Sequence, residues 1–175
     1  TVRVAHRGAL WLEIGVSGKS AHGGRPWLGV NAVSKVARII AAIEDELVPS
    51  LQGRTHSLLP APTINIGSIE GGTKVNLVAD HASIQIDRRM VPGEDADAAE
   101  AEVVNLCRAF CSADTEDWSV NVKRLMHVTP GEISADAPIV KACESAHRTV
   151  TGEEAVIGST AGFEDAHFLL EAGIP

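Results

Sequence analysis

At 175 residues the chain is long enough to bury a real core, and 45% hydrophobic with 22% charged residues is the profile of a globular protein, one domain or one domain plus a piece of another. Fifteen Lys and Arg against 23 Asp and Glu leave a formal charge of −8, which repels phosphate backbones and acidic membrane surfaces; neither nucleic acid nor a membrane is an expected partner. No run of about 18 apolar residues and no basic-then-apolar leader pattern is present, so neither a membrane span nor export is expected.

In chain order, "ALWLEIGV" alternates Leu10, Leu12, Ile14 and Val16, the period of a half-buried strand. From Asn31, a candidate N-cap, the period becomes helical through Val33, Val36, Ala37, Ile40, Ile43 and Leu47, and the helix is predicted to end before Pro49. "TINIGSI" and "HASIQIDRRM" read as two further strands joined through Gly71-Gly72 and "TKVNLVAD". Pro92-Gly93 ends the last of these. A second helix follows, with acids in its first turn and Val103, Leu106, Cys107 and Phe110 on one face. "WSVNVKRL" alternates again with Trp118, Val120 and Val122.

The order strand, helix, strand, strand, helix, strand is the ferredoxin-like β-α-β-β-α-β order of an α+β fold, a four-stranded antiparallel sheet with two helices on one face. The predicted division is 8–128 for this unit and 129–175 for a different one. After the linker "TPGEISADAP", Asp136 is expected to cap a third helix with Ile139, Ala142, Cys143, Ala146 and Val150 on its face, stopped by Gly152. The strand-like "AVIG" and a closing "GIP" expected to lead into another strand read as part of an α/β domain. Cys107, Cys111 and Cys143, odd in number and all in apolar helical patterns, read as core thiols in a reducing cytoplasm.

Three motifs, "GVSGKSAHGGRPWLGVNAV", "PTINIGSIEGGTKVNLVAD" and "DRRMVPGED", occur in an order and spacing that resembles the dimerisation (lid) domain of the M20 metallopeptidase family. That family includes acetylornithine deacetylases, succinyl-diaminopimelate desuccinylases, aminoacylases and carboxypeptidase G-like enzymes. The final "FEDAHFLLEAGIP" resembles the part of the catalytic domain that follows the lid. The resemblance implies a hydrolase in which metal ions, zinc or cobalt, activate water against an amide carbonyl, with a glutamate as general base. It implies a homodimer formed through the lid and a small N-acyl amino acid or peptide substrate. It assigns His22 an in-trans role, stabilising the oxyanion in the partner's site. Asn76 and Arg89 match positions that hold the substrate carboxylate, and Asp165 helps to shape the active-site wall.

The residues add their own support. With Ala82, Ile84 and Ile86 inward, Ser83, Gln85, Asp87 and Arg89 share the polar face of their strand, and Arg88 has the opposite parity. A guanidinium offers two parallel donors that fit a carboxylate. The family's metal-ligand pattern is not recognisable, however. No His-x-Asp occurs, Glu153-Glu154 reads as a solvated pair, and Cys107 and Cys111 at i, i+4 read as core. No metal is therefore expected to bind this chain, which alone is expected to be inactive. Glu164 stands where many relatives carry a small hydroxyl residue, which leaves the substrate class open. Two other readings stand beside this one: a non-catalytic ferredoxin-like dimerisation or protein-interaction module, and a self-contained hydrolase built from His22, His167, Asp165 and Glu164.

Overall fold

The computed structural model describes residues 1–174; Pro175, the end of the segment expected to lead into a strand, lies outside the described residues. Two sheets make up the fold. The larger has strands β2 (Gly8–Ser17), β3 (Thr63–Gly71), β4 (His81–Met90) and β5 (Ser119–Val128) in the antiparallel order β3-β4-β2-β5. This is the order that the ferredoxin-like pattern requires. Helices α1 (Ala32–Ala42) and α3 (Ala96–Ala113) pack against it. Leu10, Leu12, Ile14 and Val16 of β2 have no exposed surface, and with Ala82, Ile84, Ile86 and Met90 of β4 they form the sheet's contribution to the core. The caps hold both helices in place: Asn31 Oδ1 accepts from Ser34 N at 3.2 Å, and Asp95 Oδ1 from Ala98 N at 2.9 Å.

The smaller sheet, in the order β6-β1-β7, joins β1 (Val2–His6) to β6 (Gly131–Glu132) and β7 (Ile157–Thr160). Strand β1 is antiparallel to β6 and parallel to β7. The segment ahead of the larger sheet therefore pairs with the segment after it. Local periodicity did not reveal β1, because five residues with partners more than 120 positions away carry little local signal. Helices α4 (Pro138–Thr151) and α5 (Ala166–Glu171) pack beside this sheet.

Several expectations are corrected. The first helix does not stop before Pro49: a π-helical turn (Ile43–Leu47) is followed by α2 (Val48–Leu51). The wider turn interrupts the α ladder just where proline has no N–H to give, and Leu51 is fully buried as a result. The buried stripe of α1 is also rotated, to Ala32, Lys35, Val36 and Ile39, with Val33 and Ala37 outside. Lys35 is drawn inward because Asp114, at 2.5 Å, and Glu116 receive its ammonium. Ala137, not Asp136, precedes α4: Pro138 occupies the first turn, where no N–H needs an acceptor, and Asp136 pairs with Lys141 at 3.2 Å instead. The inward face of α4 is Val140, Glu144 and His147, while Ile139, Ala142, Cys143, Ala146 and Val150 are exposed. Cys143 is thus a surface thiol here, Cys111 is half-buried, and Cys107 is a core thiol that burial pushes up to about 11.

Candidate functional site

Past Ser17 the chain continues beside the loop that leads into β4. Gly18 N donates to Asp80 O at 2.8 Å, Val78 N to Ala21 O at 2.8 Å, and Gly23 N to Asn76 O at 2.7 Å. His22 and Leu77 form a bridge. His22 and Asn76 therefore lie on adjoining backbones, both exposed. Two glycines make the approach feasible. A Cβ on Gly18 would stand 2.2 Å from Val30 O, and one on Gly23 would press at 3.0 Å on the Asn76 carbonyl. Beyond His22, Pro26–Leu28 form a 3₁₀ turn tied by Leu28 N to Arg25 O at 3.1 Å and Gly29 N to Pro26 O at 3.1 Å.

The His22 ring is oriented by its own loop: Gly24 N–H donates to Nδ1 at 3.0 Å. A neutral imidazole whose Nδ1 accepts carries its proton on Nε2. The exposed edge of the ring is thus a hydrogen-bond donor, the polarity that a developing oxyanion needs.

Arg89 lies near the other end of β4. From His81, paired with Ser17, to Arg89, paired with Ala9, the strand covers about 26 Å at roughly 3.3 Å per residue. Within one protomer, then, Arg89 does not meet His22 or Asn76. Arg89 sits on the outer face, with Nε donating to Asp87 Oδ2 at 2.9 Å and the Phe163 ring 5.3 Å from its guanidinium carbon. Arg88, of opposite parity, is completely buried on the inner face; its Nη2 pairs with Glu94 at 2.6 Å, and its Nη1 donates to the Arg89 carbonyl at 2.5 Å. Against the cost of burial, the Arg88 guanidinium and the Val91 N–H hold the Glu94 carboxyl below its ordinary value. The inner pair fixes the strand end that carries Arg89.

Asp165 is exposed at the head of α5, its carbonyl accepting from Phe168 N at 3.1 Å. It lines a cavity of about 450 Å³ with His6, Ile133, Leu169 and Leu170. Glu164 pairs with Arg3 at 2.8 Å, and His167 is buried with Nδ1 2.8 Å from Glu164 O. The hydrolytic site imagined from His22, His167, Asp165 and Glu164 does not assemble. Its first member belongs to the far end of the larger sheet and its second faces a backbone carbonyl. Among the described residues, no three His, Cys, Asp or Glu side chains converge as metal ligands, so the residues present do not fit a metal ion. No helix among the described residues is long and apolar enough to cross a membrane.

The inward parity of β2 and β4, the β3-β4-β2-β5 order and the two helices packed on the sheet define a ferredoxin-like α+β unit. Residues 4–115 match the Peptidase dimerisation domain of the M20 family, and the chain belongs to that family. It is 36% identical over 96 residues to a probable carboxypeptidase of Aspergillus flavus, covering 53% of this chain and 23% of that protein. It is 32% identical over 141 residues to an acetylornithine deacetylase of Aliivibrio salmonicida, covering 77% of this chain and 36% of the relative. Among solved structures, an aminopeptidase of Bacillus cereus superposes with a TM-score of 0.77 at 26% identity, over 99% of this chain and 43% of that one. A tripeptidase of Staphylococcus aureus gives 0.77 at 22% identity, over 98% and 43%. The chain thus spans less than half the length of each of these relatives.

Proposed function

We propose that this chain is the lid and part of the returning catalytic domain of a metal-dependent amidohydrolase acting on N-acyl amino acids or small peptides. In this reading, residues 8–128 are the lid and residues 129–175, joined by β1 through the smaller sheet, belong to the catalytic domain. The carrying observation is the separation of the candidates. His22 and Asn76 stand at one end of the sheet and Arg89 at the other, about 26 Å of strand away. One substrate cannot touch both ends of one protomer, and a two-fold partner can bring its His22 to the Arg89 end.

Each residue then has a task that its chemistry supports. His22 enters the partner's site and donates its Nε2 proton to the carbonyl oxygen as that oxygen becomes negative, with Gly24 fixing the ring. Asn76, arriving beside it, and Arg89, from the protomer that owns the site, hold the substrate carboxylate, and Asp165 shapes the wall. Metal ligands and general base belong to polypeptide outside these residues; zinc, or cobalt, is the metal we assign to that part. The exposed stripe of α4 and the apolar side of the 450 Å³ cavity are the surfaces against which that polypeptide packs.

The homodimer forms along β3, an edge strand with unpaired backbone groups on its outer side. Ile69 at 56% exposure, Val75 at 105% and Val33 at 38% give that edge an apolar border. The free thiols suit a reducing cytoplasm. The non-catalytic module remains the second reading, since the edge strand alone supports pairing.

The test is hydrolysis by the full-length protein, loaded with zinc or cobalt, of a panel of N-acetyl and N-succinyl amino acids and dipeptides. Turnover of at least one class is expected. A folded, metal-loaded dimer that cleaves none of them contradicts the assignment and favours the non-catalytic module.

A further inference from the structure

The guanidinium of Arg89 is held on two sides. Asp87, two residues earlier on the same face of β4, takes one edge: its Oδ2 accepts from Nε at 2.9 Å and lies 2.8 Å from Nη2. Phe163, from the loop between β7 and α5, places its ring under the guanidinium, with the guanidinium carbon over the ring at 5.3 Å. The end-on edge, formed by Nη1 and the second Nη2 proton, takes no hydrogen bond among the described residues. Arg89 is 23% exposed and Phe163 is 38% exposed, so this edge lies within reach of a ligand. The contact also crosses between the sheets, because Arg89 belongs to the larger one and Phe163 to the segment that returns to the smaller.

We propose that Phe163 is a positioning residue: by fixing the plane of the Arg89 guanidinium it presents two parallel donors to a ligand carboxylate and makes the site demand that carboxylate. The proposal rests on the reading of Arg89 as the carboxylate holder. A cation over an aromatic face is attracted by the ring quadrupole. A fixed plane also removes part of the ordering cost that a mobile side chain meets on binding. Without the ring, Asp87 still takes one edge, but the guanidinium swings about that edge and the two donors no longer face one carboxylate. A carboxamide, which offers a single acceptor oxygen and an N–H₂ that repels the donors, gains little from the fixed plane.

The experiment compares the full-length enzyme with its Phe163→Leu, Phe163→Tyr and Arg89→Ala variants. The substrates are the best member of the panel above and the corresponding carboxamide. Phe163→Leu is expected to raise KM for the carboxylate about fivefold, the scale of an aromatic-cation contact, with kcat within about twofold. KM for the carboxamide should stay constant, and Phe163→Tyr, which keeps the ring, should restore the parent value. An unchanged carboxylate KM in Phe163→Leu overturns the proposal, and so do carboxylate and carboxamide KM values that rise together. Arg89→Ala separates the two levels. If it raises the carboxylate KM while Phe163→Leu does not, the positioning role alone fails. If it leaves that KM unchanged, the carboxylate role of Arg89 fails and the positioning role with it.

Discussion

At the scale of single residues, His22 depends on hydrogen bonding more than on burial. Its exposed ring has one orientation because Gly24 N–H occupies Nδ1, so a proton is already in place on the outward nitrogen. A donor that acts only as charge develops lowers the barrier without tightening the ground state. His22→Ala in the full-length enzyme should therefore reduce kcat by about 100-fold or more, on the scale of one lost oxyanion donor, while KM changes little. Steady-state kinetics decide this; an unchanged kcat removes the role. The motif around His22 singled that residue out in the sequence as a candidate, and alternation along β4 separated the outward Arg89 from the buried Arg88. The Asp87–Arg89 pair was legible in principle, as two residues of the same parity. Phe163 was not, because its contact with Arg89 joins positions 74 apart in loop and strand.

At the scale of elements, the link between α1 and the segment entering β5 is electrostatic. Lys35 is buried on α1, and its ammonium is received by Asp114 and Glu116 and lies 5.6 Å from the Trp118 ring. Burial opposes the Lys35 charge, and the two carboxylates outweigh it and raise its pKa. In return, the Lys35 hydrogen bond lowers Asp114 from its ordinary 3.8 to about 2. A carboxyl lowered in the folded state stabilises the fold above its unfolded value, and that stabilisation is lost as pH falls through the folded value. The midpoint of urea unfolding should therefore decline between about pH 4 and pH 2 in part through this group, and Asp114→Asn should flatten the decline. Parallel acid limbs in the two proteins would rule the link out. This pair also explains why the apolar stripe on α1 misled: Val33 and Ala37 fitted a helical period, but Lys35, a charged residue, took the inside position because its partners came from a distant loop.

At the scale of the whole molecule, the larger sheet was legible almost strand for strand, because its alternation is local and its order follows from a compact pattern. The smaller sheet was not. Strand β1 pairs with residues that follow the entire larger sheet in sequence, and α4 leaves its apolar stripe outside. In the proposed dimer, the Arg89 end of one protomer is completed by the His22 end of another. Mixed dimers test this directly. Full-length His22→Ala and Arg89→Ala protomers, each carrying a different affinity tag, are mixed, allowed to exchange and purified through both tags. If His22 acts in trans, one of the two sites in each mixed dimer has both residues intact, and about half of the parent activity returns although each parent mutant dimer is impaired at both sites. If mixed dimers stay as impaired as the two mutants, each site draws His22 and Arg89 from a single chain, which contradicts the in-trans role of His22.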